Sequence, residues 1–139
     1  TVTCSDGRVL QGVAMLVGNG SLYGGQFPLF KNASNTDNLL DAVVFKEAGY
    51  QLVKDSLKGL VKGGIGLHSH GDSVEYIQAA GLKVTSKEDV PVEIDGELWG
   101  RSTMVDFSQT GKTLKVFKPV EPKVKLRYAL LKILSPWRD

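Results

Sequence analysis

Cysteine is almost missing from this chain: Cys4 is the single one in 139 residues. That excludes an intrachain disulfide and any metal site built from several thiolates, and it leads to the expectation of a reducing, cytoplasmic compartment. Long apolar runs are missing too. None approaches the roughly 20 residues a membrane-spanning helix needs, and no signal-peptide layout opens the chain. Histidine is confined to His68 and His70, and no internal repeat or low-complexity segment is found. What remains is ordinary for a globular protein, with 42% hydrophobic and 23% charged residues. A chain of this length is most simply one domain with a real core. Because Thr1 opens directly in a strand-like segment, a processed or excised chain is expected.

Charge of one sign is scarce in the body but not at the end. The formal net charge is +2. From Lys112 onward eight basic residues (Lys112, Lys115, Lys118, Lys123, Lys125, Arg127, Lys132, Arg138) face only Glu121 and Asp139, a local +6 that leaves −4 for the rest. A basic tail is either simply solvated or attracted to an anionic membrane surface or nucleic acid. Within it, Leu126, Leu130, Ile133, Leu134 and Trp137 fall on one helical stripe with Lys125 and Lys132 opposite, although Pro136 breaks the pattern before Trp137. Residues 120–139 therefore read as a basic amphipathic tail, docked on protein or lying at a membrane interface.

Most of the remaining sequence consists of short strand-like runs separated by Gly, Asn, Asp and Ser. The candidates are 1–4, 9–17, 41–46, 74–78, 81–86, 91–95, 97–99, 102–107 and 113–117, a spacing that predicts an antiparallel sandwich or barrel. One stretch differs: Val53, Leu57, Leu60 and Val61 recur at helical spacing before Gly63 and Gly64. The fold expected is mainly β with one inserted helix and a C-terminal helix.

Several motifs lose their chemistry in context. The glycines of "VGNGSLYGGQF" (Gly18, Gly20, Gly24, Gly25) precede no helical pattern and fit neither the dinucleotide fingerprint nor a Walker loop. "TGKT" at 110–113 has Asp106 where a Walker loop requires glycine, and it reads as a connection between two strands. His68 and His70 share a face if extended, but no third ligand is identifiable. "NGS" and "NAS" would be glycosylation acceptors only in a secreted protein. The loop "NASNTDNLLD", residues 32–41, crowds oxygen-bearing side chains and reads either as an Asx-turn loop or as a weak structural site for a hard cation.

"PVEIDGELWG", residues 91–100, places Asp95-Gly96 between alternating apolar residues, one of the strongest short hairpin signals. The same dipeptide at Asp6-Gly7 has no chemical company, so the turn alone implies no activity.

Taken in order, Val17-Gly18-Asn19 with Gly24-Gly25, then Ala33 and Asp37-Asn38-Leu39-Leu40-Asp41, then Asp95-Gly96-Glu97 resemble the C-terminal domain of diacylglycerol-kinase-like lipid kinases. That family includes sphingosine kinases and bacterial lipid kinases. The resemblance spans residues 1–119 and implies a β-sandwich forming the lipid side of a two-domain transferase of phospholipid metabolism. The reaction it implies moves the γ-phosphoryl group of ATP to a lipid hydroxyl, with Mg2+. Residue by residue, it implies that Glu97 is the proton acceptor, with Asp95 beside it in the catalytic motif. It also implies that Ser34, Asp37 and the backbone oxygen of Leu39 hold a structural magnesium ion. The family usually carries Gly where Asn38 stands, and Asn is the next best residue for positive φ. No Gly-Gly-Asp-Gly-type loop occurs in these residues, so the ATP-binding half is expected outside this chain, and this piece alone is expected to be inactive. The partners expected are a lipid substrate, ATP through the other half, and a membrane surface met peripherally through the tail, but not nucleic acid. A non-catalytic lipid- or membrane-binding β domain is the rival expectation.

Overall fold

The computed structural model describes residues 1–23, 27–48 and 73–117. Among them are nine strands and no helix: β1 (Val2–Cys4), β2 (Val9–Leu10), β3 (Ala14–Gly18), β4 (Leu22–Tyr23), β5 (Phe27–Pro28), β6 (Leu40–Phe45), β7 (Val74–Ala79), β8 (Gly81–Ile94) and β9 (Glu97–Ser108). The expected inserted helix, the histidine pair, Gly24-Gly25 and the tail from Lys118 lie outside the described residues.

The run Leu40-Asp41-Ala42-Val43-Val44-Phe45 is apolar at all positions but one, so a strand made from it needs cover on both faces. It receives that cover as the centre of a three-stranded antiparallel sheet of order β3-β6-β7, with residues 41–44 fully buried. A second antiparallel sheet has the order β2-β1-β8-β9. One face of β6 and β7, through Ala42, Val44, Ile77 and Ala79, packs against Val2, Cys4, Leu10 and Leu82 of the second sheet. This sheet-on-sheet core is the sandwich that the strand pattern and the family resemblance both lead one to expect. The opposite face of the β3-β6-β7 sheet is closed by the chain itself, as Phe30, with Leu29 and Ala33 beside it, packs on Val43, Val74 and Tyr76.

Some strand boundaries differ from expectation, each for a local reason. The run 9–17 is two strands in different sheets. At the crossing between them a Cβ on Gly12 would meet Val44 and the Phe45 carbonyl at 2.6 and 2.7 Å, so only glycine lets the chain pass there. The segments 81–86 and 91–95 are one strand with a register shift between Thr85 and Val90, and 97–99 and 102–107 are likewise one strand. Residues 113–117 form no strand. Gly111 turns at φ 69 after β9, and Leu114, Val116 and Phe117 then run exposed without a ladder partner among the described residues. "TGKT" therefore follows the last described strand, and the run 113–117 that it was expected to lead into is not a strand. The two Asp-Gly turns also differ. At Asp95-Gly96 both residues have positive φ (51 and 92), the two-residue turn of a tight hairpin. At Asp6-Gly7 only Gly7 does; the Cys4 carbonyl accepts from Gly7 N at 3.0 Å and Cys4 N donates to the Arg8 carbonyl at 2.8 Å, a three-residue loop closed by a glycine bulge.

Candidate functional site

Two groups of candidate residues lie at opposite ends of the β8–β9 hairpin. At its tip, the Asp95-Gly96 turn sets Glu97 in register with Ile94 as the first residue of β9. Positive φ at a non-glycine residue is tolerated best by Asn and Asp, whose short side chains bond locally, which is why an aspartate can stand at 95. Glu97 is exposed, and around it Ile94, Leu98 and Trp99 stand 53%, 71% and 68% exposed. The tip thus offers a carboxylate amid apolar surface, on backbone held by a paired ladder. Beyond Thr85 and Met104 the hairpin has no further strand neighbour among the described residues, since β1 pairs with β8 only at residues 82–84.

The second group lies at the hairpin's base. Gln109, directly after β9, donates through Nε2 to Asn19 Oδ1 at 3.0 Å and to the Leu39 carbonyl at 3.3 Å. The loop from Asn32 to Leu39 is folded by its own side chains. Leu39 N donates to Asp37 Oδ1 at 2.9 Å, and Ser34 Oγ lies 3.1 Å from Thr36 Oγ1. Asn38 sits at φ 57, the left-handed conformation that a glycine would otherwise supply. The structure therefore brings Ser34, Asp37 and Leu39 into one loop, and joins to it the early motif residues through Gln109–Asn19 and through Gly18. Gly18 lies under the Phe30 ring, where an added Cβ would come within 3.0 Å of three ring carbons. Tip and base are not brought together. The twelve residues of β9, at about 3.3 Å each, put roughly 40 Å of strand between Glu97 and Gln109.

The loop's donors are one carboxylate, one hydroxyl and one backbone carbonyl, all hard oxygens, and that set suits Mg2+. The Asp37 oxygen not used by Leu39 N and the second lone pair of the Leu39 carbonyl remain available to an ion.

Beneath this loop is Asp41, a member of the ordered motif to which the resemblance gives no role. Asp41 is fully buried. Its Oδ1 accepts from the Tyr76 hydroxyl and from Gln78 Nε2 at 2.9 Å, and Gln78 also reaches the Asn32 carbonyl at 3.3 Å. Oδ2 has no partner. Burial pushes the Asp41 carboxyl above its ordinary value; hydrogen bonds from Tyr76 and Gln78 oppose the rise, and the like charge of Asp37 adds to it. Burial first, then the bond to Asp41, pushes the Tyr76 hydroxyl far up. One sequence signal pointed here, a lone charge inside the apolar run 39–45. Its partners Tyr76 and Gln78 lie 35 and 37 residues away and come into contact only through the β6–β7 register.

A family model described as the YegS C-terminal NAD kinase beta sandwich-like domain matches residues 2–118. The chain belongs to this family. It is the C-terminal domain of YegS-type lipid kinases, within the diacylglycerol kinase family, as the ordered motifs led one to expect. No curated protein and no solved structure matches the chain. In this YegS-type domain the two packed antiparallel sheets are the sandwich that the family description specifies, and both motif groups lie within the matched residues.

Proposed function

We propose that this domain supplies the lipid-side half and the proton-accepting carboxylate of an ATP-dependent lipid kinase. The observation that carries the reading is the placement of Glu97: an exposed carboxylate at the end of a ladder-paired hairpin, flanked by apolar side chains, in a domain of a lipid-kinase family. The chemistry needs that arrangement. A lipid hydroxyl attacks the γ-phosphorus of ATP, the bond from that phosphorus to the β–γ bridging oxygen breaks, and ADP leaves. The hydroxyl proton passes to a carboxylate within hydrogen-bond reach. Asp95 and Gly96 shape the turn that presents Glu97. The nucleotide and its catalytic metal belong to the half that precedes this domain in the intact protein, and Ser34, Asp37 and the Leu39 carbonyl hold a structural Mg2+. The setting is cytoplasmic, with peripheral contact at the membrane where the lipid resides. The test is phosphorylation by the intact protein, with ATP and Mg2+, of a panel of diacylglycerols, sphingoid bases and phosphatidylglycerol. One of these classes is expected to be phosphorylated, and failure with all of them would refute the reading.

A second reading is a lipid-binding β domain without catalysis, and the exposure of Leu98 and Trp99 favours it. Liposome flotation with and without residues 120–139 separates a contribution of the basic tail from one of the hairpin tip. Equal flotation of both forms would remove the tail from the membrane contact.

A further inference from the structure

We propose that the outer face of the β8–β9 hairpin seats one acyl chain of the acceptor lipid, laid along Ile94, Val92, Val90 and Met104 with the lipid hydroxyl at Glu97. The inference rests on the reading of Glu97 as proton acceptor given above and adds where the rest of the lipid lies. Residues opposite one another in an antiparallel ladder share a face, as do residues two apart along a strand. Val84 packs against the core between the sheets and is opposite Val105, so Met104, next to Val105, turns away from that core. Ser102 follows on the side of Met104, and Val90 is opposite Ser102. Val92 and Ile94 continue at two-residue steps, and Glu97 is opposite Ile94. The bulge at Trp99 lies on β9, so the alternation along residues 90–94 of β8 is unbroken. One face thus carries an apolar stripe that ends on the carboxylate, with Val90, Ile94 and Met104 exposed and Val92 half-buried. Charge is turned away from it. Glu93 and Arg101 alternate to the opposite face, and Arg101 Nη2 donates to the Asp89 carbonyl at 2.6 Å. Ser102, the polar member of the stripe, donates its hydroxyl to the Met104 carbonyl at 2.7 Å.

Length, width and charge select a single acyl chain as the occupant. From Glu97 to Met104 the strand advances roughly 20 Å, one residue being taken up by the bulge. An acyl chain fills one leaflet, about half of the roughly 30 Å hydrocarbon core, so it fits on the stripe with its hydroxyl end at Glu97. The stripe is two strands wide, with about 4.8 Å between strands, which suits one chain and not the surface of a bilayer. An anionic bilayer is also repelled: residues 86–101 carry Lys87 and Arg101 against Glu88, Asp89, Glu93, Asp95 and Glu97, a local −3. A chain held along the stripe fixes the lipid hydroxyl beside Glu97, so these residues position the substrate and take no part in the proton transfer.

The experiment has a binding arm and a kinetic arm. In the 139-residue chain carrying Trp137→Phe, Trp99 is the single tryptophan, in the bulge next to Gly100, the partner of Val92. Its fluorescence is followed as a monoacylglycerol brominated in mid-chain is added below its critical micelle concentration. Saturable quenching is expected, with the half-effect concentration raised about tenfold by Val92→Thr together with Ile94→Thr, which remove apolar contact but keep strand-forming residues. In the intact enzyme the same pair should raise KM for a long-chain acceptor about tenfold, with kcat near that of the wild type and a short-chain acceptor little affected. Met104→Gln, at the far end of the stripe, should weaken long chains alone, and it carries the test if the double variant does not fold. No quenching of the wild type, equal quenching of wild type and variants, or quenching only by vesicles of brominated phosphatidylcholine would overturn the acyl seat. The expected quenching in a protein that phosphorylates no lipid would support the seat and overturn the kinase reading instead.

Discussion

Replacing Gly18 with alanine tests the packing that holds the 32–39 loop on the sandwich. Gly18 ends β3 opposite Asp41 in the register, and an added methyl would come within 3.0 Å of Cε2, Cδ2 and Cζ of Phe30, closer than real Cβ contacts allow. The ring has little room to retreat. Phe30 is 2% exposed and packed with Val43, Val74 and Tyr76, all buried. Forcing a methyl into such a site costs about 1–3 kcal/mol. The entropy that alanine removes from the unfolded chain offsets only about 0.4–1 kcal/mol, so destabilisation wins. With a urea m-value of about 1–3 kcal/mol/M, a net loss of about 1 kcal/mol lowers the unfolding midpoint by about 0.5 M. Urea titration followed by circular dichroism measures it, and a double-mutant cycle assigns it. Phe30→Leu costs less than the about 3–5 kcal/mol of truncation to alanine. Combined with Gly18→Ala, it should cost less than the sum of the two single changes, because the smaller side chain relieves the clash. A Gly18→Ala protein with an unchanged or higher midpoint, or strict additivity in the cycle, would refute the reasoning.

At the hairpin tip, Asp95→Asn should leave the melting temperature unchanged, since Asn also adopts positive φ, whereas Asp95→Val should cost about 1–2 kcal/mol; equal melting of the two variants would contradict the turn assignment. Asp41 predicts a pH dependence in EDTA. Its folded-state pKa is raised, so the stability it contributes is full below its unfolded value of about 3.9 and is lost as pH rises through the folded value. Urea midpoints should therefore fall from near pH 4 upward in the wild type, and Asp41→Asn should lack that component. Asp6, held low mainly by its hydrogen bonds from Arg8, acts in the opposite sense as pH falls, but it is fully exposed and its effect is screened.

What was readable in advance was local. The Asp95-Gly96 turn, the positive φ at Asn38 and the existence of most strands follow from residue types within a few positions of one another. The errors came where partners decide. Residues 113–117 alternate like a strand, but a strand needs a neighbour to pair with and none is offered there among the described residues. The run 9–17 reads as continuous, yet it divides because Gly12 lets the chain change sheets. The candidate ligands Ser34, Asp37 and Leu39 share a loop that the sequence already grouped. By contrast, Gln109 meets Leu39 across 70 residues, and Asp41 meets Tyr76 across 35. Such contacts are products of sheet register, which composition and periodicity do not encode pair by pair.

The most direct measurement of the central claim is the phosphoryl-transfer rate of the intact enzyme carrying Glu97→Gln, on whichever lipid the panel identifies. Gln keeps the size and hydrogen-bonding reach of the side chain but cannot accept the proton. The exposed position at the hairpin tip should leave folding and lipid binding intact. A loss of about 100-fold or more in kcat, with a circular dichroism spectrum and KM near those of the wild type, is the predicted result. Retained turnover would contradict Glu97 as the base.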